Sequence, residues 1–432
     1  MTSLDAIYVQ AEQDFIAKNP KSREIYNSAV ESLPGGNTRS VLFYKPYPLS
    51  IIRAEGCHLF DADGHKYTDF LGEYTAGLYG HSEPRIIQAI TETVANGVNF
   101  GSQHANEGKL AKLIKDRFAS IDLVRFTNSG TEAALMALAV AKIYTKRSKI
   151  MVFEGGYHGG AFVFHHGNDP INVPHEYLLA TYNDTSSVDR YISQYNEDLA
   201  AIIVEPMLGS GGGIPASQQF LEHLRTKATE SGAVLIFDEV MTSRLFSGGG
   251  VQSHFGIKPD MTTLGKYIGG GMSFGAFGGK REIMELFDPR SNGIRHAGTF
   301  NNNVFTMAAG RAGLEQVFTP DRAKELHAAG EELRRKLNDI GKGTTMRVLG
   351  CGSIMAFHFT KTPLEQIHSP NDFEDNPLLL DLLHLYLLDQ GYYIARRGFM
   401  SLSLALKPSD LDGLAQTVGS FLREYGAMGQ IV

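Results

Sequence analysis

Apolar and polar residues follow two alternating patterns along this chain. Between residues 85 and 290, short apolar runs typical of buried strands alternate with stretches in which apolar residues recur at helical spacing. The clearest strand candidates are residues 123–127, 149–153, 199–204 and 233–237, and the clearest helix candidates are residues 131–144 and 218–231. This alternation predicts βαβ units, and therefore an α/β fold built on a mostly parallel sheet.

The two ends of the chain lack this regular alternation. Residues 4–32 are typical of one or two helices, and residues 48–70 of short strands with a hairpin turn at Asp61-Ala62-Asp63-Gly64. Beyond residue 310 the pattern predicts a long helix through Arg334, strands near 346–358 and 391–405, and helices at 377–390 and 408–425. We therefore expect a large domain over residues 71–310, and a smaller α+β domain formed by residues 1–70 together with residues 311–432.

Bulk composition narrows the class of protein. With 432 residues the chain exceeds one ordinary hydrophobic core, and 43% apolar and 20% charged residues are ordinary for a globular enzyme. The net charge of −7 argues against a nucleic-acid partner, because such proteins present a basic face. Two cysteines cannot build a disulfide framework, and we recognise no targeting peptide and no membrane span. A cytoplasmic protein with no membrane partner is the expectation.

Lys266 is the first candidate for chemistry. It lies in Gly265-Lys266-Tyr267-Ile268-Gly269-Gly270-Gly271, one βα unit after Asp238, which ends an apolar run. A strand tipped by Asp and followed by a Lys at a glycine-rich corner suits pyridoxal 5′-phosphate (PLP). The Lys would bind the aldehyde covalently, and the Asp would keep the pyridine nitrogen protonated so that the ring accepts electrons. A lone Gly-Lys is also common in solvated turns, so the surrounding motifs decide.

A predicted anion site supports this reading. Phe126 ends a strand and Ala133 begins an alanine-rich helix, so Ser129, Gly130 and Thr131 fall at the helix N-terminus. Free backbone N–H groups and the positive end of the helix dipole suit a phosphate there. Ser and Thr are also the ordinary N-cap residues of helices, so a plain cap is the alternative.

Two further loops carry suitable groups. Tyr157, in Gly155-Gly156-Tyr157-His158-Gly159-Gly160, could stack on a flat heterocycle, although a glycine-rich loop with a surface aromatic is the simpler reading. Thr299 lies in a loop of glycine, hydroxyl and amide residues that could bind an anion or form an ordinary turn.

In combination these motifs resemble those of class III aminotransferases of PLP fold type I. The chain shares with that family, in order, Ser-Gly-Thr-Glu-Ala, Gly-Tyr-His-Gly, Asp-Glu-Val, Gly-Lys before Gly-Gly-Gly, and Gly-Thr-Phe. The segments around Asp238 and Lys266 are most similar to glutamate-1-semialdehyde aminomutases. Residues 37–44 and the segment Arg396-Arg397-Gly398-Phe399 are more similar to β-phenylalanine and other β-amino acid aminotransferases.

The resemblance implies a role for each position. It places the cofactor against Ser129, Gly130, Thr131, Tyr157, Asp238, Val240, Lys266 and Thr299. Lys266 and Asp238 would be catalytic, and Tyr157 and Val240 would pack on opposite faces of the ring. Thr299 would reach the phosphate in the neighbouring subunit, which implies a homodimer with shared active sites. After Asp-Glu-Val the chain has Met241-Thr242-Ser243-Arg244 where many relatives have Gln, Thr, Gly and Phe, so the contact to the cofactor hydroxyl is unassigned.

Arginines are the expected readers of substrate carboxylates, because a guanidinium binds them bidentately. The resemblance to β-amino acid aminotransferases points to Arg39 and Arg397, one for the substrate carboxylate and one able to swing towards an acceptor. Arg396 and Arg244 are the competing candidates.

The predicted reaction is transfer of an amino group from an amino acid or amine, expected to be a β-amino acid such as β-phenylalanine, to 2-oxoglutarate or pyruvate by a ping-pong mechanism. The alternative is an isomerase resembling glutamate-1-semialdehyde 2,1-aminomutase, which keeps the amine bound through both half-reactions. Paired arginines favour the transaminase, because two different acids must bind in turn. A P-loop is excluded by the residues around Lys266. His158, His165 and His166 lack a carboxylate at ligand spacing, so no metal is expected.

Overall fold

The computed structural model describes residues 3–426. The α-helices are α1 (Leu4–Lys18), α2 (Pro20–Val30), α3 (Pro84–Ala95), α4 (Ala105–Arg117), α5 (Gly130–Thr145), α6 (Thr185–Tyr195), α7 (Gln218–Ser231), α8 (Gly250–Phe255), α9 (Arg281–Met284), α10 (Val304–Ala312), α11 (Pro320–Ile340), α12 (Pro377–Asp389) and α13 (Pro408–Tyr425). The β-strands are β1 (Ile51–Glu55), β2 (His58–Asp61), β3 (Lys66–Asp69), β4 (Leu123–Thr127), β5 (Lys149–Phe153), β6 (Glu176–Ala180), β7 (Leu199–Val204), β8 (Met207–Leu208), β9 (Ile214–Pro215), β10 (Val234–Asp238), β11 (Met261–Gly265), β12 (Gly275–Gly279), β13 (Met346–Cys351), β14 (Ile354–Phe359), β15 (Tyr392–Tyr393) and β16 (Phe399–Ser401).

A seven-stranded sheet forms the centre of the molecule, in the order β4-β12-β11-β10-β7-β5-β6. The neighbours of β10, which are β7 and β11, both run parallel to it, and only β12 is antiparallel to its neighbours. The predicted α/β fold with a mostly parallel sheet is confirmed. Because parallel strands end at the same edge, Asp238 at the end of β10 pairs in register with Thr263, three residues before Lys266.

Three strands of this sheet were not predicted from the sequence: β6, β11 and β12. Strands β11 (Met-Thr-Thr-Leu-Gly) and β12 (Gly-Ala-Phe-Gly-Gly) are interrupted by threonine and glycine, so neither forms an apolar run. The glycines are required by close packing. A side chain at Gly275 would overlap the carbonyl of Ser129, and one at Gly279 would overlap the carbonyl of Asp260.

The long helix predicted from residue 310 through Arg334 is wrong. Helix α10 ends at Ala312, a single π-helical turn follows at Gly313–Val317, and α11 starts afresh at Pro320. Proline has no N–H to donate within a helix and is favoured in the first turn. The hydroxyl of Thr319 caps the new helix by accepting from the N–H of Arg322 at 3.4 Å.

Both ends of the chain contribute to the smaller sheets. The hairpin predicted around Asp61 is confirmed, since β2 and β3 pair antiparallel, and β15 from the C-terminal part pairs parallel with β3. A second small sheet has the order β13-β14-β16. The shared sheet agrees with one smaller domain drawn from both termini, while its limits at residues 70 and 310 remain a prediction. Within residues 3–426, no helix is long and apolar enough to cross a bilayer.

Replacing Gly275 with alanine tests the packing of β12. We expect Gly275→Ala to destabilise the protein by about 1–3 kcal/mol, as overpacking of a close-packed site does, because the added methyl group would overlap backbone. Gly108 in α4 is the matched control, since a methyl group there meets no atom within 4 Å. Gly108→Ala should raise the melting temperature slightly, because alanine favours a helix. Equal melting temperatures for both variants, measured by thermal unfolding, would contradict this account.

Candidate active site

Lys266 lies at the first position after β11, with its side chain partly buried against the loop that follows β3. Its Nζ donates a hydrogen bond to the carbonyl oxygen of Tyr74 at 2.6 Å. Burial disfavours the charged ammonium and lowers the pKa of Lys266 to about 8. Lys266 is therefore closer to the neutral, nucleophilic form than an exposed lysine.

The backbone around this hydrogen bond is in the left-handed region. Lys266 has φ 55°, and Glu73, Tyr74 and Thr75 have φ 46°, 51° and 80°. Non-glycine residues in this region cost free energy and persist only where surrounding contacts hold them. Two such contacts come from Ser401, whose Oγ accepts from the N–H of Thr75 at 3.2 Å and donates to the carbonyl of Leu71 at 2.9 Å.

Asp238 is buried at the end of β10, with 5% of its surface exposed. One carboxylate oxygen is 2.7 Å from Nδ1 of His158, and the other accepts from the N–H of Val240 at 3.1 Å. His158 is equally buried. With Nδ1–H donating to Asp238, the imidazole orients the carboxylate and supports its negative charge.

The helix N-terminus predicted to hold an anion is present. Helix α5 begins at Gly130, and the Oγ of its N-cap, Ser129, accepts from the N–H of Glu132 at 3.1 Å. The first N–H groups of a helix have no acceptor within it, which leaves those of Gly130 and Thr131 available. The Thr131 hydroxyl also accepts from the N–H of Gly160 at 3.1 Å, which joins this turn to the loop of Tyr157.

Val240 connects the anion site to Lys266. A Cβ atom placed on Gly130 would lie 3.1 Å from one methyl group of Val240, and one placed on Gly265 would lie 3.1 Å from the other. Tyr157 lies on the loop after β5, with 40% of its surface exposed. The predicted anion-binding turn, Val240 and Lys266 therefore converge at the carboxyl edge of the sheet, where α/β proteins bind ligands.

The two predicted substrate arginines, Arg39 and Arg397, come from distant parts of the sequence, and the guanidinium groups of both contact the ring of Tyr74. The guanidinium carbons of Arg39 and Arg397 are 5.7 Å and 5.6 Å from the ring centroid. Arg39 forms an ion pair with Glu73. Arg397 donates from Nη1 to the carbonyl and the hydroxyl oxygen of Ser210, at 2.9 Å and 2.7 Å, and its Nε is buried without a partner.

The two competing arginines are less well placed to bind a substrate. Arg244 is 1% exposed and donates to the backbone carbonyls of Leu402 and Thr75. Arg396 is bound by both oxygens of Asp381. Arg244 is a weaker candidate because it is fully buried against backbone, although its Nε, like that of Arg397, has no hydrogen-bond partner within residues 3–426. Arg396 is a weaker candidate because Asp381 binds it through two hydrogen bonds.

Thr299 is exposed on the single chain, in the loop that precedes α10. Asn301 of the same loop accepts from the side-chain amide of Asn128 at 3.0 Å, which holds the loop beside the helix N-terminus. Phe300 of this loop is 56% exposed.

One functional candidate was missed in the sequence. Glu205 directly follows β7 and is 5% exposed, and burial raises its pKa to about 7. Its carboxylate accepts from the N–H groups of Tyr157 and Gly209 at 2.8 Å and 3.0 Å. The sequence pattern does point to Glu205, because this acidic residue ends the apolar run of β7 just as Asp238 ends that of β10.

Comparisons with known proteins agree with this geometry. The family model described as aminotransferase class-III matches residues 43–398. The chain is 47% identical to the β-phenylalanine transaminase of Variovorax paradoxus over 99% of this chain and 98% of the relative. This chain is a class III aminotransferase. Its structure also matches the crystal structure of the β-phenylalanine aminotransferase from Variovorax paradoxus with a TM-score of 0.96, covering 98% and 99% of the two chains at 47% identity.

Two further relatives complete the comparison. The aminotransferase is 37% identical to glutamate-1-semialdehyde 2,1-aminomutase 2 of Brevibacillus brevis, over 91% of this chain and 95% of the relative. A transaminase solved with PLP bound matches with a TM-score of 0.86 and 30% identity, over 95% and 99% of the chains. The predicted family and fold type are thus confirmed.

PLP is the cofactor of this family, and the residues of the aminotransferase fit it. A buried lysine of lowered pKa suits an aldehyde. A buried carboxylate supported by His158 suits a pyridinium nitrogen. The N-terminus of α5 suits a phosphate, and the glycines around it keep space free, since a side chain at Gly159 would overlap Thr131.

The lowered pKa of Lys266 can be measured in the apoenzyme. We expect the rate at which an amine-reactive reagent labels Lys266, followed by mass spectrometry, to rise with a midpoint near pH 8, because burial disfavours the ammonium. In the unfolded chain the same lysine should titrate near its ordinary value of about 10.4. Matching midpoints in the folded and unfolded protein would show that Lys266 is hydrated and would remove the physical basis of its reactivity.

Proposed function

We propose that this aminotransferase moves the amino group of a β-amino acid such as β-phenylalanine to a keto acid, 2-oxoglutarate or pyruvate, by a ping-pong mechanism. One observation carries the proposal: two arginines contact the ring of Tyr74, whose carbonyl holds Lys266. Two carboxylate readers beside one nucleophilic lysine suit a donor acid and an acceptor acid that bind in turn. The 47% identity to a β-phenylalanine transaminase supports the donor class.

Lys266 and Asp238 are the catalytic residues in this proposal. When bound, PLP supplies an aldehyde that takes up the amino group and a ring that accepts electrons. Nζ of Lys266 accepts the proton from the amine-bearing carbon of the donor. The carbonyl of Tyr74 orients Nζ of Lys266 for this transfer. Asp238, held by His158, keeps a proton on the ring nitrogen.

The remaining cofactor contacts position the ring. Ser129, Gly130 and Thr131 bind the phosphate at the N-terminus of α5. Tyr157 and Val240 would pack against the ring of the cofactor, and Val240 is already packed against Gly130 and Gly265.

Arg39 and Arg397 divide the binding of carboxylates. Arg39 must exchange its ion pair with Glu73 for the donor carboxylate, which an exposed pair permits at small cost. Among residues 3–426 no salt bridge is formed by Arg397, so its charge is available for an acceptor. Arg39 and Arg397 thus offer separate contacts for a donor acid and an acceptor acid. An aminomutase needs no second acid, so it is the weaker alternative.

Removing each arginine tests this division. A charge-assisted carboxylate contact is worth roughly 1.5–3 kcal/mol, or about ten- to a hundredfold in affinity. We expect Arg39→Ala to raise KM for β-phenylalanine by that factor. Arg397→Ala should raise KM for 2-oxoglutarate, which has two carboxylates, more than KM for pyruvate. An amine donor without a carboxylate is the matched control and should be affected least.

The outcome distinguishes three cases. Equal losses for every substrate would indicate structural damage, and unchanged kinetics in both variants would refute the arginine assignment. Turnover of a single amino aldehyde substrate without any keto acid would favour the aminomutase alternative.

The functional unit is proposed to be a cytoplasmic homodimer in which Thr299 serves the partner's cofactor. The exposed Phe300 and the polar loop around it support an interface at this position.

Mixing two inactive variants tests this arrangement. Lys266→Ala should lack turnover, and Thr299→Glu should repel a phosphate through like charge. If sites are shared, a hybrid dimer of the two variants contains one doubly altered and one unaltered site. Activity should therefore return after the chains are mixed and allowed to exchange. Absence of recovery in a hybrid confirmed by native mass spectrometry, or a fully active monomer in sedimentation, would contradict shared sites.

A further inference from the structure

The buried carboxylate of Glu205 joins two separate loops. Its Oε1 accepts from the N–H of Tyr157 at 2.8 Å, and its Oε2 accepts from the N–H of Gly209 at 3.0 Å. The main-chain carbonyl of Glu205 is itself held by the hydroxyl of Tyr182 at 2.8 Å. The side chain of Glu205 therefore holds two backbone segments, while its own backbone is held by Tyr182.

Each of the two loops carries a part of the proposed site. The first presents the ring of Tyr157. The second presents Ser210, next to Gly209, and both oxygen atoms of Ser210 accept hydrogen bonds from Nη1 of Arg397. Because Ser210 holds Nη1, the position of Ser210 sets the orientation of the Arg397 guanidinium. The same position therefore sets the direction of its unpartnered Nε.

The two loops are also in direct contact through backbone. A Cβ atom on Gly211 would lie 2.5 Å from the carbonyl oxygen of Gly155, and one on Gly209 would overlap the sulfur of Met241. Loss of the Glu205 contacts would therefore be transmitted to both loops.

The charge on Glu205 is sensitive to its surroundings. Burial is the main reason that the pKa of Glu205 is raised to about 7; His158 and the N–H groups of Gly209 and Tyr157 oppose the rise, and repulsion from Asp238 adds to it. Tyr182, Arg397 and Tyr157 also interact with this carboxylate. A carboxylate can accept two N–H donors, one on each oxygen, whereas a protonated or amidated group must turn a donor towards one of them.

We propose that Glu205 is a positioning residue that couples the Tyr157 loop to the Ser210 loop, so that the carboxylate preference of the acceptor site depends on it. The loop coupling rests only on the hydrogen bonds described above. The effect on substrate preference rests in addition on the proposed function of Arg397.

Hydrogen–deuterium exchange in the apoenzyme tests the coupling directly. Glu205→Gln keeps the shape of the side chain but replaces one acceptor with a donor. We expect exchange to become faster in both segments, 154–160 and 206–212. Faster exchange in only one segment, or in neither, would overturn the coupling.

Glu239→Gln is the matched control. Glu239 is as buried as Glu205 and also accepts backbone N–H groups, from Val251 at 3.1 Å and Gln252 at 3.0 Å. Glu239→Gln should accelerate exchange at the start of α8 and leave the exchange rates of segments 154–160 and 206–212 unchanged. If Glu205→Gln fails to fold, Glu205→Asp takes its place, because the shorter carboxylate keeps the charge but cannot span both N–H groups.

The effect on substrate preference is measured separately. We expect Glu205→Gln to raise KM for 2-oxoglutarate about tenfold, the effect of weakening one charge-assisted hydrogen bond, with a smaller rise for pyruvate. Glu239→Gln should leave the ratio of the two KM values unchanged. Faster exchange in both loops with an unchanged KM ratio would overturn the role in substrate preference and keep the coupling. A wild-type enzyme that uses neither acceptor would refute the proposed function instead, and the exchange result would stand.

Discussion

The hydrogen bond between Lys266 and the Tyr74 carbonyl is the contact on which the site depends. It joins the carboxyl edge of the central sheet to the segment that follows β3, and four left-handed non-glycine residues meet around it. Such a conformation is stable only if the neighbouring structure enforces it. Ser401 from the C-terminal part and Arg244 from the loop after β10 supply that support through backbone contacts. Lys266 is therefore held by three regions of the chain that are distant in sequence.

Burial then determines the chemistry of the charged groups. Asp238 and Glu205 are buried at the carboxyl ends of β10 and β7, and Lys266 is partly buried just after β11, so water solvates all three poorly. Desolvation makes the lysine a better nucleophile and the glutamate a weaker acid. Asp238 differs from Glu205 because His158 contacts it directly, which supports its charge. Two neighbouring carboxyl groups thus have different roles because they have different hydrogen-bond partners.

The two arginines proposed to bind substrates come from the two ends of the chain. Arg39 comes from the N-terminal part and Arg397 from the segment before β16, and both contact Tyr74. The cofactor residues are instead confined to the large sheet and its loops. A division of this kind allows the cofactor site to stay constant within a family while the substrate contacts vary.

The sequence by itself determined the elements whose signals are local. Apolar runs ended by Asp238, the alanine-rich helix after Ser129 and the glycines around Lys266 were sufficient to predict the α/β fold, the lysine, the aspartate and the anion site. These signals are reliable because strand burial and helix capping depend on neighbouring residues. The glycine-rich strand β12 and the helix break at Pro320 were missed or misread, since their form depends on packing against distant backbone.

Only the tertiary structure decided which charged side chains are free and which are bound. In the sequence the resemblance favours Arg39 and Arg397 over Arg244 and Arg396, but only contacts with residues far along the chain show what each arginine binds. Arg244 is fully buried and donates to backbone carbonyls, Arg39 and Arg396 are paired with Glu73 and Asp381, whereas Arg397 donates to Ser210 and forms no ion pair within residues 3–426. The same holds for Glu205, whose two N–H partners lie on different loops. A side chain's partners, unlike its place in a strand or helix, are set by residues that the local pattern does not contain.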